Sequence, residues 1–182
     1  MNISRWFFVN AVLFMALASP ELHACDQGTV LCGVDRNPPS PRIFVRVDER
    51  SAWSEYPTRQ SVPAPQNDSG ESALLWSARD GESLVKMEEP GEDFFICSTY
   101  CFSKSGALAT VDFELRTAWG WGYRTSGPVT AGALASKVSE FFDTHTGHVL
   151  PRPQEADGIA VALKPRLYLD RSELPFLQSP LP

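Results

Sequence analysis

The four cysteines are the residues whose spacing constrains the chemistry of this chain most strongly. They stand at Cys25, Cys32, Cys97 and Cys101. An even number of cysteines in an exported chain favours disulfides over metal ligation. Zinc bound by four thiolates is a poor alternative because no CxxC pair is present.

Spacing also bears on which cysteines pair. If Cys97 and Cys101 lie on one regular strand, their Cα atoms are about 13 Å apart at ~3.3 Å per residue. A disulfide requires Cα atoms within about 7 Å. This favours two long-range bonds that tie the N-terminal segment, with Cys25 and Cys32, across one face of a sheet. The local alternative, Cys25–Cys32 with Cys97–Cys101, needs a break in the strand at residues 98–100.

A second group with chemical potential is Asp143, His145 and His148. Two imidazoles and a carboxylate can bind a metal or carry out acid–base catalysis, which makes a hydrolase or metal-dependent enzyme one alternative function. A histidine near the C-terminus of a helix is also stabilised by the helix dipole and needs no further role. The chain has no HExxH motif and no recognisable nucleophile motif. We therefore predict a non-catalytic protein without a cofactor.

The third group is the aromatic run Trp119, Trp121 and Tyr123, separated by Gly120 and Gly122. Alternation places the three rings on one face of a strand. The pattern continues the apolar alternation before it, which favours a place in the core. If the strand extends past the sheet edge, the same rings form an exposed platform for a sugar or a protein.

These groups lie on elements that the alternation of apolar and polar residues predicts. Residues 107–124 alternate throughout, with a bend expected near Gly120 or Gly122. Residues 94–102 form the partner strand, joined through a turn at 103–106. The predicted register is Phe102–Ala107, Tyr100–Ala109, Ile96–Phe113 and Phe94–Leu115. The charges Asp112, Glu114 and Arg116 then lie on a polar face, which explains them without catalysis.

A second hairpin is predicted over residues 73–88. Asp80-Gly81 is a strong two-residue turn signal, and it pairs Trp76 with Val85 and Leu74 with Met87. Further strands are expected over 42–48 and 159–163 from their alternation.

One helix is predicted from Thr130 to His145. Thr130 can cap it, and Leu134, Val138, Phe141 and His145 recur at helical spacing. The predicted fold class is therefore α+β: an antiparallel sheet built from two or more hairpins, with one helix packed on one face.

The start of the chain predicts export. Arg5 precedes an apolar run over residues 6–18, and Ala24 is a small residue suited to cleavage. The expected organisation is a signal peptide at 1–24 and one globular domain at 25–182, with a Pro-rich loop at 54–71 and a loose tail at 174–182. Beyond the signal, no apolar run approaches the length of a membrane span. Residues 22–25 also resemble a lipoprotein signal. The predicted location is periplasmic or secreted, and a lipid anchor on Cys25 is the alternative.

The formal net charge of −6 limits the classes of partner that the chain can bind. An acidic chain without a basic stripe repels phosphate backbones, which argues against nucleic acid. The prediction is an exported, non-catalytic binding protein whose partner is a protein of the cell envelope. An inhibitor or immunity-type protein is one specific form. A glycan-binding module using the aromatic strand is the alternative within the binding class.

Overall fold

The computed structural model describes residues 40–48, 50–62 and 70–178. Their main element is one antiparallel sheet of ten strands. The strands are β1 Arg42–Arg46, β2 Ser54–Tyr56, β3 Glu71–Ser77, β4 Ser83–Pro90, β5 Phe94–Phe102, β6 Leu108–Thr117, β7 Trp121–Thr130, β8 Ala133–Leu134, β9 Val138–Asp143 and β10 Val149–Leu150.

The strand order follows the chain closely. Across the sheet it runs β10-β9-β7-β6-β5-β4-β3-β1-β2, and β8 pairs with the end of β7. Most neighbours in space are therefore neighbours in sequence, joined by tight turns. This is the arrangement expected of a chain with turn signals between short alternating segments.

The predicted α+β class is wrong because the helix predicted over 130–145 is absent. Residues 133–134 form β8 and 138–143 form β9, which pairs with β7 over six residues. The described residues contain no helix of seven or more residues. The helical spacing of Val138 and Phe141 was misleading, since the same segment can also place Tyr123 opposite Phe141 across two strands. Pairing with an open strand edge overrides weak helical periodicity in such a segment.

The segment 107–124 is a hairpin instead of one bent strand. Strand β6 ends at Thr117, and β7 returns from Trp121, pairing Arg116 with Gly122. Gly120 adopts a positive φ of 85° in the three-residue loop between them. That backbone conformation suits glycine, so Gly120 marks a reversal of the chain.

The β3–β4 hairpin forms, but its predicted register is wrong by one residue. Leu75 pairs with Val85, and Trp76 pairs with Leu84. The loop is longer than the Asp80-Gly81 signal suggests, because the Ala78 N–H donates to the Glu82 carbonyl across three residues. A one-residue slip exchanges the faces of one strand relative to the other.

The β5–β6 hairpin also forms, with a register two residues away from the prediction. Tyr100 pairs with Val111 and Ile96 with Leu115. A bulge at Cys101/Phe102 shifts the pairing, so that Phe102 lies opposite Leu108. An extra residue in one strand is the expected consequence of such a bulge, and sequence alternation does not reveal it.

The core lies on one face of the sheet, which we call the core face. Its fully buried side chains include Val85, Tyr100, Val111, Phe113 and Leu115. Residues 151–178, the C-terminal strap, cover this face. The strap contributes Ala156, Leu163, Tyr168, Leu174 and Phe176 to the core cluster.

Specific side-chain contacts hold the C-terminal strap against the sheet. The Phe176 ring packs 4.6 Å from the ring of Phe44, and the Tyr168 ring packs edge-on 5.5 Å from Tyr100. The Arg171 guanidinium donates to the Ser83 hydroxyl at 2.6 Å.

The C-terminal residues also differ from the sequence expectation. Residues 159–163 form turns, with the Ala162 N–H donating to the Ile159 carbonyl, and the expected strand there is absent. Within the predicted loose tail at 174–182, Leu174 and Phe176 are buried and Pro175–Gln178 form one short helix, α1, while residues 179–182 lie outside the described residues. Packing against the sheet, which local sequence does not show, orders this segment.

The predicted Pro-rich loop contains regular structure at its start. Strand β2 and a 3-10 turn at Arg59–Ser61 lie within residues 54–62, and Thr58 caps the turn. Residues 63–69 lie outside the described residues, as does the predicted signal peptide.

Candidate binding surface at the Trp119 tip

The most exposed aromatic ring in the described chain stands at one tip of the sheet. Trp119 lies in the β6–β7 loop with 48% of its surface exposed. Its ring stacks on that of Trp121, with centroids 6.1 Å apart and planes 29° from parallel. Trp121 is only 5% exposed and belongs to the core cluster. The exposed ring therefore rests on a buried one, which holds it in place.

Further rings continue this support into the sheet. Phe141 packs edge-on against Trp121 at 5.8 Å, and Tyr123 lies 5.0 Å from Phe141. Tyr123 also contacts Phe113 at 6.4 Å. Offset and edge-to-face packing of this kind stabilises beyond the apolar area it buries. The candidate residues of the aromatic run thus take different positions: Trp121 is core, Tyr123 is half-buried and Trp119 is exposed.

A second loop lies against the first. The Thr144 N–H donates to the Gly120 carbonyl at 3.0 Å, joining the β9–β10 loop to the β6–β7 loop. The His145 ring lies 3.8 Å from the position that a Cβ at Gly120 would occupy. We call this pair of loops, residues 118–120 and 144–147, the Trp119 tip. Its side chains include one exposed indole ring, one imidazole and the hydroxyls of Thr144 and Thr146.

Asp143 holds the second loop in shape. Its Oδ1 accepts from the Thr146 N–H at 2.7 Å, from the Thr146 hydroxyl at 3.0 Å and from the His145 N–H at 2.9 Å. The hydrogen bonds from Thr146 and then from His145 lower the pKa of Asp143. Its carboxylate is thus occupied as a turn cap, a common use of aspartate.

The histidines do not form a metal centre with it. His145 and His148 are both exposed, on either side of Gly147. Within the described ranges, no group of three His, Cys, Asp or Glu side chains is placed to hold a metal ion. The geometry gives the group a structural role in the loop and offers no support for the hydrolytic alternative.

The charged residues Asp112, Glu114 and Arg116 lie on the second face of the sheet, opposite the core face. Arg116 donates to Glu114 at 2.6 Å, as their spacing on the strand suggested. Burial, followed by the charge of Glu114, raises the pKa of Asp112. Glu114 is therefore ion-paired with Arg116, while Asp112, two residues away on the strand, is partly desolvated.

Sequence reasoning missed a polar group on the core face. Burial raises the pKa of Glu89, and the negative charge of Glu71 adds to this, while Arg166 and Arg46 oppose it. The Arg166 guanidinium also donates to the Tyr168 hydroxyl at 3.3 Å. Alternation along β4 does place Glu89 on the same face as Met87, which is the one signal that could have revealed it.

Both cysteines of β5 lie on the second face and are buried. Cys97 pairs with Glu88 of β4 and Cys101 with Leu84, in an unbroken register between them. Neither is a free thiol. The strand has no break at residues 98–100 of the kind that a bond between them would need.

No family model, no curated protein and no solved structure matches this chain. Nor does any helix among the described residues have the length and apolar character needed to cross a membrane.

Proposed function

We propose that this chain is an exported, non-catalytic binding protein of the cell envelope, and that it holds a protein partner through the Trp119 tip. The observation that carries the proposal is the exposed Trp119 ring stacked on the buried Trp121 ring. Tryptophan is among the residues most enriched at the energetic centres of protein interfaces.

The fixed position of the ring favours binding. A side chain that is already held by stacking loses less conformational freedom when a partner covers it. The loop hydrogen bond between Thr144 and Gly120 likewise holds the bordering loop before a partner arrives. An apolar centre bordered by polar groups is the usual anatomy of a protein interface.

Charge indicates the character of the partner. The chain carries a formal net charge of −6, and removal of residues 1–24 leaves it unchanged because Arg5 and Glu21 are both lost. Attraction between an acidic protein and a basic partner accelerates their encounter. A basic hydrolase or toxin blocked by an acidic inhibitor or immunity-type protein is a specific form of this proposal.

Two observations support export. The first is the signal-like pattern of residues 5–24, which predicts cleavage before Cys25. The second is that neither Cys97 nor Cys101 is a free thiol, a state that persists in oxidising compartments. Edman sequencing or intact mass of the exported protein gives the test: a mature chain that starts at Cys25 is expected, and retention of residues 1–24 would contradict it.

A comparative pull-down tests the role of the tip. The native chain, Trp119→Ala and Val161→Ala are immobilised and exposed to envelope extract, and any retained protein is identified, purified and titrated. Val161 is the matched control because it is an exposed apolar residue at 86%. Loss of an interface centre costs about 2 kcal/mol or more, so Trp119→Ala should weaken Kd by about 30-fold or more.

The control variant should bind like the native chain. Equal affinity of Trp119→Ala and the native chain for the purified partner would reject the tip as the binding surface. Retention of no protein at micromolar concentrations would reject the protein partner itself.

A glycan is the second candidate ligand, favoured by the composition of the same tip. The exposed face of an indole stacks on the apolar face of a sugar ring, and hydroxyl groups of the kind found at Thr144 and Thr146 can hydrogen-bond to sugar hydroxyls. Titration of cell-wall oligosaccharides should then shift the tryptophan fluorescence of the native chain in a saturable way. The shift should vanish in Trp119→Ala, and its persistence there would exclude this candidate.

A further inference from the structure

A group of polar side chains lies between the core face of the sheet and the C-terminal strap, apart from the Trp119 tip. Glu89 is on the core face of β4, on the same side of the strand as the buried Met87. The strap brings Arg166 and Tyr168 over this part of the sheet, because the Tyr168 ring packs edge-on 5.5 Å from that of Tyr100 on β5. Two carboxyl or phenol groups of the sheet thus meet a guanidinium and a phenol of the strap.

The carboxylate of Glu89 has no direct partner among the described residues. The pairing of Ser72 with Glu88 places Glu71 beside it, and Glu71 is already ion-paired with Arg46. No hydrogen bond or ion pair joins Glu89 itself to another described side chain. Burial and then the charge of Glu71 raise the pKa of Glu89. A half-buried carboxylate of this kind is stabilised when a cationic group binds to it.

The guanidinium of Arg166 supplies the opposite charge. It donates to the Tyr168 hydroxyl at 3.3 Å and makes no other hydrogen bond in the described part of the chain. The hydrogen bond with Tyr168, and then the charges around it, including that of Glu89, raise the pKa of Arg166. Glu89 is therefore within electrostatic reach of Arg166 but not in contact with it. Because Arg166 is exposed, its remaining N–H groups are open to an anionic group from solvent.

The hydroxyl of Tyr100 forms the buried end of this group. Tyr100 is 0% exposed, and its hydroxyl has no hydrogen-bond partner of acceptable geometry. Burial raises the pKa of Tyr100, while the nearby Ser98 hydroxyl opposes this and both Tyr168 and Glu89 add to it. The hydroxyl therefore lies among the same polar groups. Leaving a buried hydroxyl without a partner costs free energy, which a polar atom of a ligand recovers.

We propose that Glu89, Arg166, Tyr168 and Tyr100 form a binding site for a small zwitterion, a free amino acid. Glu89 binds the ammonium group, and Arg166 binds the carboxylate at the exposed end. The Tyr168 hydroxyl accepts from Arg166 and keeps its own proton for the ligand carboxylate, and the Tyr100 hydroxyl bonds to the inner end of the ligand.

A zwitterion matches the site because one charge of each sign is left without an ion-pair partner, and the two charges are separated. A guanidinium fits a carboxylate with two parallel hydrogen bonds, and such charge-assisted bonds are about twice as strong as neutral ones. A few convergent polar groups on an otherwise apolar surface are typical of small-molecule sites. The site is independent of the protein partner proposed for the Trp119 tip.

Thermal unfolding of the native chain with each of the twenty L-amino acids is the first test. At least one should raise Tm with increasing concentration, because a ligand that binds only the folded state stabilises it. Calorimetry then compares that amino acid with its decarboxylated amine and its deaminated acid. Each of these carries one charge, and each should bind at least about tenfold more weakly. If no amino acid raises Tm, or if either analogue binds as tightly as the amino acid, the proposal is wrong.

Variants of the two charged groups locate the site. Glu89→Gln and Arg166→Gln should each weaken binding of the amino acid at least about tenfold. The matched controls are the exposed Glu92→Gln and Arg79→Gln, which should bind like the native chain. Trp119→Ala should also keep native affinity for the amino acid, which separates this site from the Trp119 tip.

The preference between ligands distinguishes a direct contact from a structural role. Glu89→Gln should bind the amino acid and its deaminated acid equally, because the contact to the ammonium group is lost. Tyr100→Phe keeps the ring and should weaken binding severalfold through loss of the hydroxyl alone. A folded Glu89→Gln variant with native affinity and preference would overturn the proposal. If that variant does not fold, the comparison of the analogues on the native chain and the Arg166→Gln variant decide.

Discussion

The two faces of this single sheet are stabilised by different kinds of contact. On the core face, side chains from six strands, β1 and β3 to β7, form one buried cluster with residues of the C-terminal strap, and large apolar residues such as Tyr100, Phe113 and Leu115 are fully buried. On the second face, the strands from β6 to β9 carry ion pairs, including Glu114–Arg116 and Arg124–Glu140. One face is held by apolar packing, and the other by local charge pairs beside a small buried patch.

On the second face, two arginine side chains cover the ring of Phe142. Phe142 lies between two arginines, with the guanidinium of Arg124 5.2 Å and that of Arg116 5.8 Å from its centroid. Their carboxylate partners, Glu140 and Glu114, keep the guanidinium groups in place. Cation–π contacts at such partly exposed sites contribute about 0.5–1 kcal/mol each. The comparison indicates that stability comes mainly from the core face.

The largest expected effect is therefore on the core face. Leu115→Ala removes a side chain that is 0% exposed, and the loss of buried methylenes with an unfilled cavity should cost about 2–5 kcal/mol of unfolding free energy. Urea denaturation followed by circular dichroism measures it. The matched control is the neighbouring Glu114→Gln on the second face, expected to cost less than about 1 kcal/mol. Similar costs for both variants would contradict the comparison.

An intermediate effect is expected where the second face is tightly packed. A Cβ at Gly122 would lie 2.7 Å from Cε1 of Phe142 and 2.8 Å from the Leu115 carbonyl oxygen. Gly122→Ala should therefore cost about 1–3 kcal/mol through overpacking, measured by thermal or urea unfolding.

Gly70 provides the control for this prediction. The nearest atoms to a Cβ there are 3.5 Å away, so Gly70→Ala should be neutral or stabilise by up to about 1 kcal/mol. A neutral Gly122→Ala would mean that Phe142 moves freely and that the second face is loosely packed.

The smallest expected effect concerns Glu89, a half-buried carboxyl on the core face. Because burial raises its folded pKa above the ordinary value, the ionised form destabilises the fold. The penalty is absent below the ordinary pKa, appears as pH rises through the interval up to the raised pKa, and is complete above it. Glu89→Gln should therefore make the protein more stable than the native chain at pH 7, because the amide carries no charge to desolvate.

The test is the unfolding free energy of both proteins across this pH range. The difference should shrink toward zero in acid, and the exposed Glu92→Gln should show little difference from the native chain at any pH. A Glu89→Gln variant less stable than the native chain at pH 7 would show that attraction from Arg166 and Arg46 outweighs desolvation.

Much of the strand structure could be predicted because alternation is a local property. The strand over 94–102 and the hairpin over 73–88 were both identified from side chains that alternate between faces. Register was harder to predict. Ala73, Leu74 and Leu75 are all buried, so the apolar pattern of β3 does not distinguish its two faces.

The candidate site was predictable only in outline. The sequence singled out Trp119, Trp121 and Tyr123 as a group, but alternation treats all three alike. Their different exposure depends on the reversal at Gly120, which turns Trp119 outward in a loop while Trp121 begins the returning strand. Asp143 and His145 were also noticed together, yet their loop hydrogen bonds depend on a strand where a helix was expected.

The sequence by itself determined the strands β1, β3, β4, β5 and β6, the turns of the two predicted hairpins and the placement of Cys97 and Cys101 on one face, because each follows from steric preferences over a few residues. Only the tertiary structure decided that residues 133–134 and 138–143 pair as strands, that the C-terminal residues form a strap, and that Glu89 is half-buried. These depend on contacts between segments far apart in the chain, such as Arg171 with Ser83 and Phe176 with Phe44. The free energy of such contacts exceeds the weak local preferences that a sequence pattern reports.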